Sequence, residues 1–253
     1  MLVSVQVQWL IATVLIASRL ATLLFMTPLF SLARIPARIM VVLTLIFAAG
    51  VNNCIEQFSQ LVVTDTLEFL LMLLREIWIG LLMAFGVHCA FSAFSFAGRI
   101  LDLQIGFGVA NLLNPSTNEQ SPLLGMALMV VGVMTFFVLR GHHWFLRGVI
   151  QSYTWFPLGG GWPSHLLKAI AHQFGLMFSF GVALVAPVIV VLLLIDGAMA
   201  IAVRTMPQVN IFMLSIPIKI AVGLLVLVSS VPLMRHVFQR IFTAIFSYWA
   251  ALA

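Results

Sequence analysis

Charge is scarce in this chain. Seven acidic and twelve basic residues among 253 make 8% charged, where soluble domains carry about 25%. So few charges cannot build a water-facing surface, so lipid or protein neighbours must cover most of it. The formal charge of +5 comes from scattered residues. There is no basic run and so no face for nucleic acid. Cysteine is nearly absent too. Cys54 and Cys89 fall in or beside apolar segments, where a thiol serves as a small buried hydrophobe, and two cysteines build no disulfide framework. No carboxylate occurs between Glu119 and Asp196. That leaves His142, His143, His165 and His172 without acidic company. The adjacent pair His142–His143 cannot share one helix face, so these histidines read as polar or capping groups rather than a metal site.

Catalytic motifs are missing as well. There is no GxSxG and no P-loop. Residues 106–111 resemble half of a dinucleotide fingerprint, but lack the third glycine and a preceding strand in a βαβ unit. Asp102 and Asp196 are the one acidic pair an intramembrane protease would have, and their surroundings fit no such motif. The expectation is a protein that is not an enzyme and carries no metal or cofactor. Residues 1–8 hold no Lys or Arg. A positive n-region is thus absent, and the first apolar segment reads as a retained helix.

What is present is hydrophobicity, 63% of the chain, in long runs. The expected class is all-α: an integral membrane-type helical protein with about six long hydrophobic helices, several of them broken by proline. The segments read as 7–29, 39–55, 67–97, 123–139, 174–196 and 211–234, followed by an amphipathic tail over 235–253. A bilayer core takes about 20 helical residues. Segment 67–97 is proline-free and would be about 45 Å long at 1.5 Å per residue, more than the core requires. It therefore tilts, projects beyond the membrane, or bends at Gly80 or Gly86. Residues 140–173 read as a long interfacial connection, with Trp144, Tyr153, Trp155 and Trp162 supplying the rings favoured at a membrane boundary. With an outer N-terminus, Arg34, Arg38, Arg99 and Arg204 lie inside, and Arg140, Arg147, Lys168, Arg235 and Arg240 outside. This near balance leaves orientation undecided by the positive-inside rule. Segments that break such rules need protein or a water-filled cavity around them.

Polar residues at membrane depth are the remaining candidates: Arg19, Arg75, Glu76, Asp196, Arg204 and Lys219. Arg19 either snorkels to an interface or faces a polar interior. Neighbours on a helix point to different faces, so Arg75 and Glu76 should not neutralise each other and should meet partners on other helices.

The stretch 98–122 interrupts two greasy segments. It opens with Arg99 and Asp102, continues through Gly106, Phe107 and Gly108 to Asn114 and Pro115, and closes at Pro122. A connection this long is commonly functional or disordered. Its apolar residues suit packing, and its glycines suit rearrangement. Met126 and Met129 follow on one helix face, as core filler or as the deformable seal that thioethers permit.

An ordered set of short matches then points to one family. It comprises Arg19 with Pro28, Pro36-Ala37-Arg38, Gly98-Arg99, Asp102, Gln104, Gly106, Asn114-Pro115, Gly141-His142-His143, Ser152, Pro157 and Gly159. Ala186-Pro187, Arg204, Pro207-Gln208-Val209-Asn210 and Pro217-Ile218-Lys219 complete it. In these the chain resembles the FliR/SctT family of type III export-gate subunits, with the flagellar branch favoured over the injectisome branch. Where many relatives carry Asp, this chain has Asn114. The resemblance implies a single FliR-like export-gate domain over 1–253, one copy joining FliP-like and FliQ-like subunits. It implies contact with other export-apparatus membrane proteins, membrane lipid and unfolded proteins in transit. It also implies a place in the bacterial inner membrane at the flagellar basal body, raised toward the periplasmic side, and a loop at 106–122 that plugs the channel. A stand-alone secondary transporter is the alternative from another class, although no internal repeat is evident.

Overall fold

A computed structural model describes residues 2–29, 35–54, 65–107, 122–161, 166–205 and 211–252. Seven α-helices and no strand occur among them. They are α1 (Leu2–Met26), α2 (Ala37–Cys54), α3 (Thr66–Ile105), α4 (Leu123–Val138), α5 (Gly141–Trp155), α6 (Leu166–Thr205) and α7 (Ile211–Leu252). The all-α membrane-type class is as expected. Four helices are long and apolar enough to cross a membrane, and a fifth span results if α4 and α5 count as one broken crossing.

The helix bounds differ from the expectation at α1, which begins at Leu2, at α6, which runs Leu166–Thr205 against an expected 174–196, and in three further places, each for a legible reason. First, residues 98–105 are not part of an interruption but the last two turns of α3. Leu101 and Ile105, four apart, are both fully buried, which is helical periodicity. Gly106, at φ 100°, ends the run in a conformation that suits glycine. Second, residues 141–155 form a helix rather than a connection. Phe145, Gly148, Val149, Ser152 and Tyr153 recur at helical spacing and are buried. Third, the tail after Met234 continues α7. Phe238, Ile241, Phe242, Ile245 and Trp249 carry the buried stripe onward. Pro187 lies inside α6, and Pro217 and Pro232 inside α7. Membrane helices tolerate such prolines because neighbouring groups satisfy the freed carbonyls. Gly80 and Gly86 lie within an unbroken α3, at close-packing points rather than bends.

The chain divides into two compact units. The first comprises Met1–Cys89, Arg140–Gln173 and Ile245–Ala253. In it α2 is tied to α1 by Asn52, whose Nδ2 donates to the Trp9 carbonyl at 3.1 Å and to Thr13 Oγ1 at 2.8 Å. Gly80 lets α3 approach α1, for a β-carbon there would sit 2.7 Å from the Arg19 carbonyl oxygen. Gly148 accommodates Trp249 in the same way, and the Trp249 indole donates to the Met83 carbonyl at 3.0 Å. The second unit comprises Ala90–Leu139 and Phe174–Ala244. Its core is aromatic. Phe91, Phe94, Phe136, Phe238 and Phe242 meet in pairs with ring centroids 5.2–6.2 Å apart, arrangements that add about 0.5–1.5 kcal/mol each beyond area burial.

Candidate functional site

Two constellations stand out, one in each unit. In the first unit, Arg19 on α1 is fully buried. Burial of a guanidinium is costly unless every donor is met, and here the donors are met. Nε donates to Glu76 Oε2 at 2.6 Å, and Nη2 lies 2.6 Å from the same oxygen. Nη1 reaches the Ser152 carbonyl at 3.2 Å and its hydroxyl at 3.1 Å, and Nη2 reaches the Phe156 carbonyl at 2.8 Å. The Tyr153 ring lies 4.1 Å beneath the guanidinium carbon, a cation–π contact. Arg19 therefore faces a polar interior and does not snorkel.

Arg75 extends the node. Nη1 donates to the Pro157 carbonyl at 3.0 Å and Nη2 to the Gly161 carbonyl at 2.8 Å. The expectation that Arg75 and Glu76 stay apart needs correcting. Their Cβ atoms diverge, but the long arginine arm swings back to place Nη1 3.5 Å from Glu76 Oε1. Two guanidiniums thus share one carboxylate, Ser152 on α5 and the turn after α5 supply the other acceptors, and the buried Arg75 Nε is left without a partner among the described residues. That turn is shaped for the task. Gly160 N–H donates to the Pro157 carbonyl at 3.0 Å, and Gly159 between them has φ 76°, the left-handed value that type II turns reserve for glycine. Tyr153, expected at a membrane boundary, is 2% exposed instead and donates its hydroxyl to the Ile16 carbonyl at 3.3 Å. Trp144 is exposed as expected, Trp155 is half-buried, and Trp162 lies outside the described residues. The carbonyls of Phe156 and Gly161 are the acceptors that sequence reasoning misses, because a backbone acceptor leaves no trace in residue type.

In the second unit, Asp102 is buried near the end of α3 and reaches across to the start of α4. Its Oδ1 accepts the Leu124 N–H at 3.2 Å and its Oδ2 the Gly125 N–H at 3.4 Å. The residue preceding α4, Pro122, gives no side-chain cap. Asp102 therefore caps α4 from another helix, a role worth about 0.5–2 kcal/mol, and its charge suits the positive helix end. The close approach that permits this is made by Gly98 and Gly125. A β-carbon on Gly98 would overlap the backbone of Gly125. The two ends of the 106–122 stretch are thereby stitched together. Gly106 and Phe107 are the first residues beyond the stitch on one side, and Pro122 the last on the other. Gly108, Asn114 and Pro115 lie outside the described residues.

The other expected residues are dispersed. Asp196 on α6 and Lys219 on α7 form an ion pair. The Asp196 side chain is 43% exposed and that of Lys219 19%. Arg99 and Arg204 are exposed, and Arg204 lies in the last turn of α6. Met129 accepts a hydrogen bond from Ser95 Oγ at 3.0 Å, whereas Met126 is exposed, so the two thioethers do not share one environment. The Cys89 thiol is free and buried. Among the described residues no three of His, Cys, Asp and Glu gather as metal ligands.

These geometries lie within a chain whose relatives are recognisable. The family described as bacterial export proteins, family 1, matches residues 10–245. The flagellar biosynthetic protein FliR of Bacillus subtilis (strain 168) is 27% identical over 236 residues, covering 92% of this chain and 90% of the relative. FliR of Aquifex aeolicus (strain VF5) is 27% identical over 247 residues, covering 96% and 95%. The Yop proteins translocation protein T of Yersinia pestis is 29% identical over 176 residues, covering 68% and 67%. With Arg19, Glu76 and Asp102 all inside the matched span, this chain belongs to family 1 of the bacterial export proteins.

Proposed function

We propose that this chain is a non-enzymatic subunit of the flagellar type III export gate. In this reading it sits in the bacterial inner membrane at the flagellar basal body, one copy per gate beside FliP-like and FliQ-like subunits. The family and the flagellar relatives support the class of function. The FliR chains of Bacillus subtilis and Aquifex aeolicus match over 92% and 96% of this chain, against 68% for the Yop proteins translocation protein T, and these two long matches favour the flagellar branch.

The observation that carries the mechanism is the stitch at Asp102. Both stems of the 106–122 stretch are anchored to one another by the carboxylate and the Gly98–Gly125 approach. Gly106, at φ 100°, supplies hinge freedom where α3 ends. We assign the 106–122 stretch the role of plug. At rest it occludes the channel sterically, an unfolded substrate pushes it aside, and the energy for transport comes from elsewhere in the apparatus. The 40-residue helices α3 and α6 fit a protein enclosed by partners. At 1.5 Å per residue they are about 60 Å long, roughly twice a hydrocarbon core.

Native mass spectrometry of this chain, purified with and without co-expressed FliP-like and FliQ-like proteins, tests the assembly. The expected result is a single copy within a larger complex of defined mass. A stable monomer or homodimer indifferent to those proteins contradicts it and favours a stand-alone transporter.

A further inference from the structure

At the start of α5 an open pocket of about 420 Å³ is lined by Arg140, His143, Trp144 and Arg147. His143, Trp144 and Arg147, at spacings of three and four, share one face of α5, and Arg140 precedes the helix as its N-cap residue, at φ 56°. All four are exposed. Among the described residues neither Arg140 nor Arg147 forms an ion pair. The sequence offers no acidic neighbour either, for none occurs between Glu119 and Asp196. Nor does the fold itself benefit, because cations at a helix start oppose the helix dipole. Two guanidiniums and an imidazole around one cavity match the oxygens of a phosphate, which arginine binds through paired donors. Trp144 adds the ring typical of the lipid headgroup level. The Phe246 ring, 6.4 Å away between centroids, supports it. Leu146, beside Arg147, and Ile150, one turn further on, are both exposed and give α5 apolar surface suited to acyl chains.

The geometry points to a binding site for the phosphate headgroup of an anionic phospholipid, with Arg140 and Arg147 as the phosphate ligands and Trp144 as the interfacial anchor. A phosphodiester on a lipid and a free phosphate share the recognised chemistry. The aliphatic surface beside the charges favours the lipid.

The test uses the full chain in dodecyl maltoside, titrated with phosphatidylglycerol or phosphatidylcholine and read by native mass spectrometry. Wild type should retain one phosphatidylglycerol and little phosphatidylcholine. The R140Q/R147Q variant should retain it roughly ten- to thirty-fold less, in line with about a decade or more for two basic contacts. R140K/R147K should keep most of the binding, and R235Q/R240Q should keep all of it. Excess inorganic phosphate should not displace the lipid. Equal retention of both lipids, or unchanged retention by R140Q/R147Q with wild-type helicity, overturns the proposal. Displacement by inorganic phosphate reassigns the pocket to a free anion and also overturns it. So does a photocrosslinker at position 144 that, in native membranes, labels a protein instead of lipid.

Discussion

Glu76→Ala removes about 3–5 kcal/mol of stability, the cost of leaving buried charge without its counter-ion. The magnitude follows from the geometry. Arg19 is fully buried, and its closest charged partner is Glu76 at 2.6 Å. Arg75 leans on the same carboxylate. The carbonyls of Ser152, Phe156, Pro157 and Gly161 satisfy donors but cannot neutralise two positive charges. Glu76→Gln separates charge from shape. It keeps the size and one acceptor, so retention of most of the loss identifies the charge as the cause. Arg19→Leu combined with Glu76→Leu should cost less than the sum of the single changes, because apolar replacement of a buried pair leaves no orphaned ion between them. Denaturation of the full chain in detergent, followed by tryptophan fluorescence, reads these differences. A Glu76→Ala protein as stable as wild type contradicts the assignment of the node.

The second large effect is expected at Gly98. Gly98→Val should destabilise the chain by about 1–3 kcal/mol or more, the usual cost of overpacking, because the atoms in its way are the backbone of Gly125 and cannot rotate aside. Gly197→Ala is the matched control. Nothing lies within 4 Å of a β-carbon at that helical position, so the change should stabilise by about 0.5–1 kcal/mol through the lower backbone entropy of alanine. Protease sensitivity between α3 and α4 adds a local readout. It should rise in Gly98→Val, because the displaced helices no longer bring Asp102 to the Leu124 and Gly125 N–H groups. Equal stability and equal cleavage in the two variants contradict the stitch.

The contrast between these two sites also shows what residue types reveal and what they hide. Arg19, Arg75 and Glu76 were conspicuous in the sequence because charge at membrane depth demands a partner. Their pairing is long-range, 57 positions apart for Arg19 and Glu76, and no local pattern encodes it. Gly98 misled, for a glycine after an apolar run reads as a helix end, whereas here it is a contact point for a second helix. The same ambiguity concealed α5. Gly141, His142 and His143 look like a connection until the buried spacing of Phe145, Gly148, Val149 and Ser152 is weighed. Helix type was legible throughout because the apolar runs are long. Helix bounds were less so, since a proline at 187, 217 or 232 ends a soluble helix more readily than a membrane one. Asp102 was visible as an isolated acid, but its role as a cap for another helix depends on tertiary approach alone.

The most direct test of the plug is a deletion of residues 109–121, which leaves Gly106, Asp102 and the stitched stems in place. The variant is assembled with its partner subunits, placed in a planar bilayer and compared with the intact complex for ion conductance in the absence of export substrate. A steady leak in the deletion complex, absent from the intact one, is the predicted result. A complex of normal composition that stays as tight as wild type contradicts the assignment of this loop as the closure.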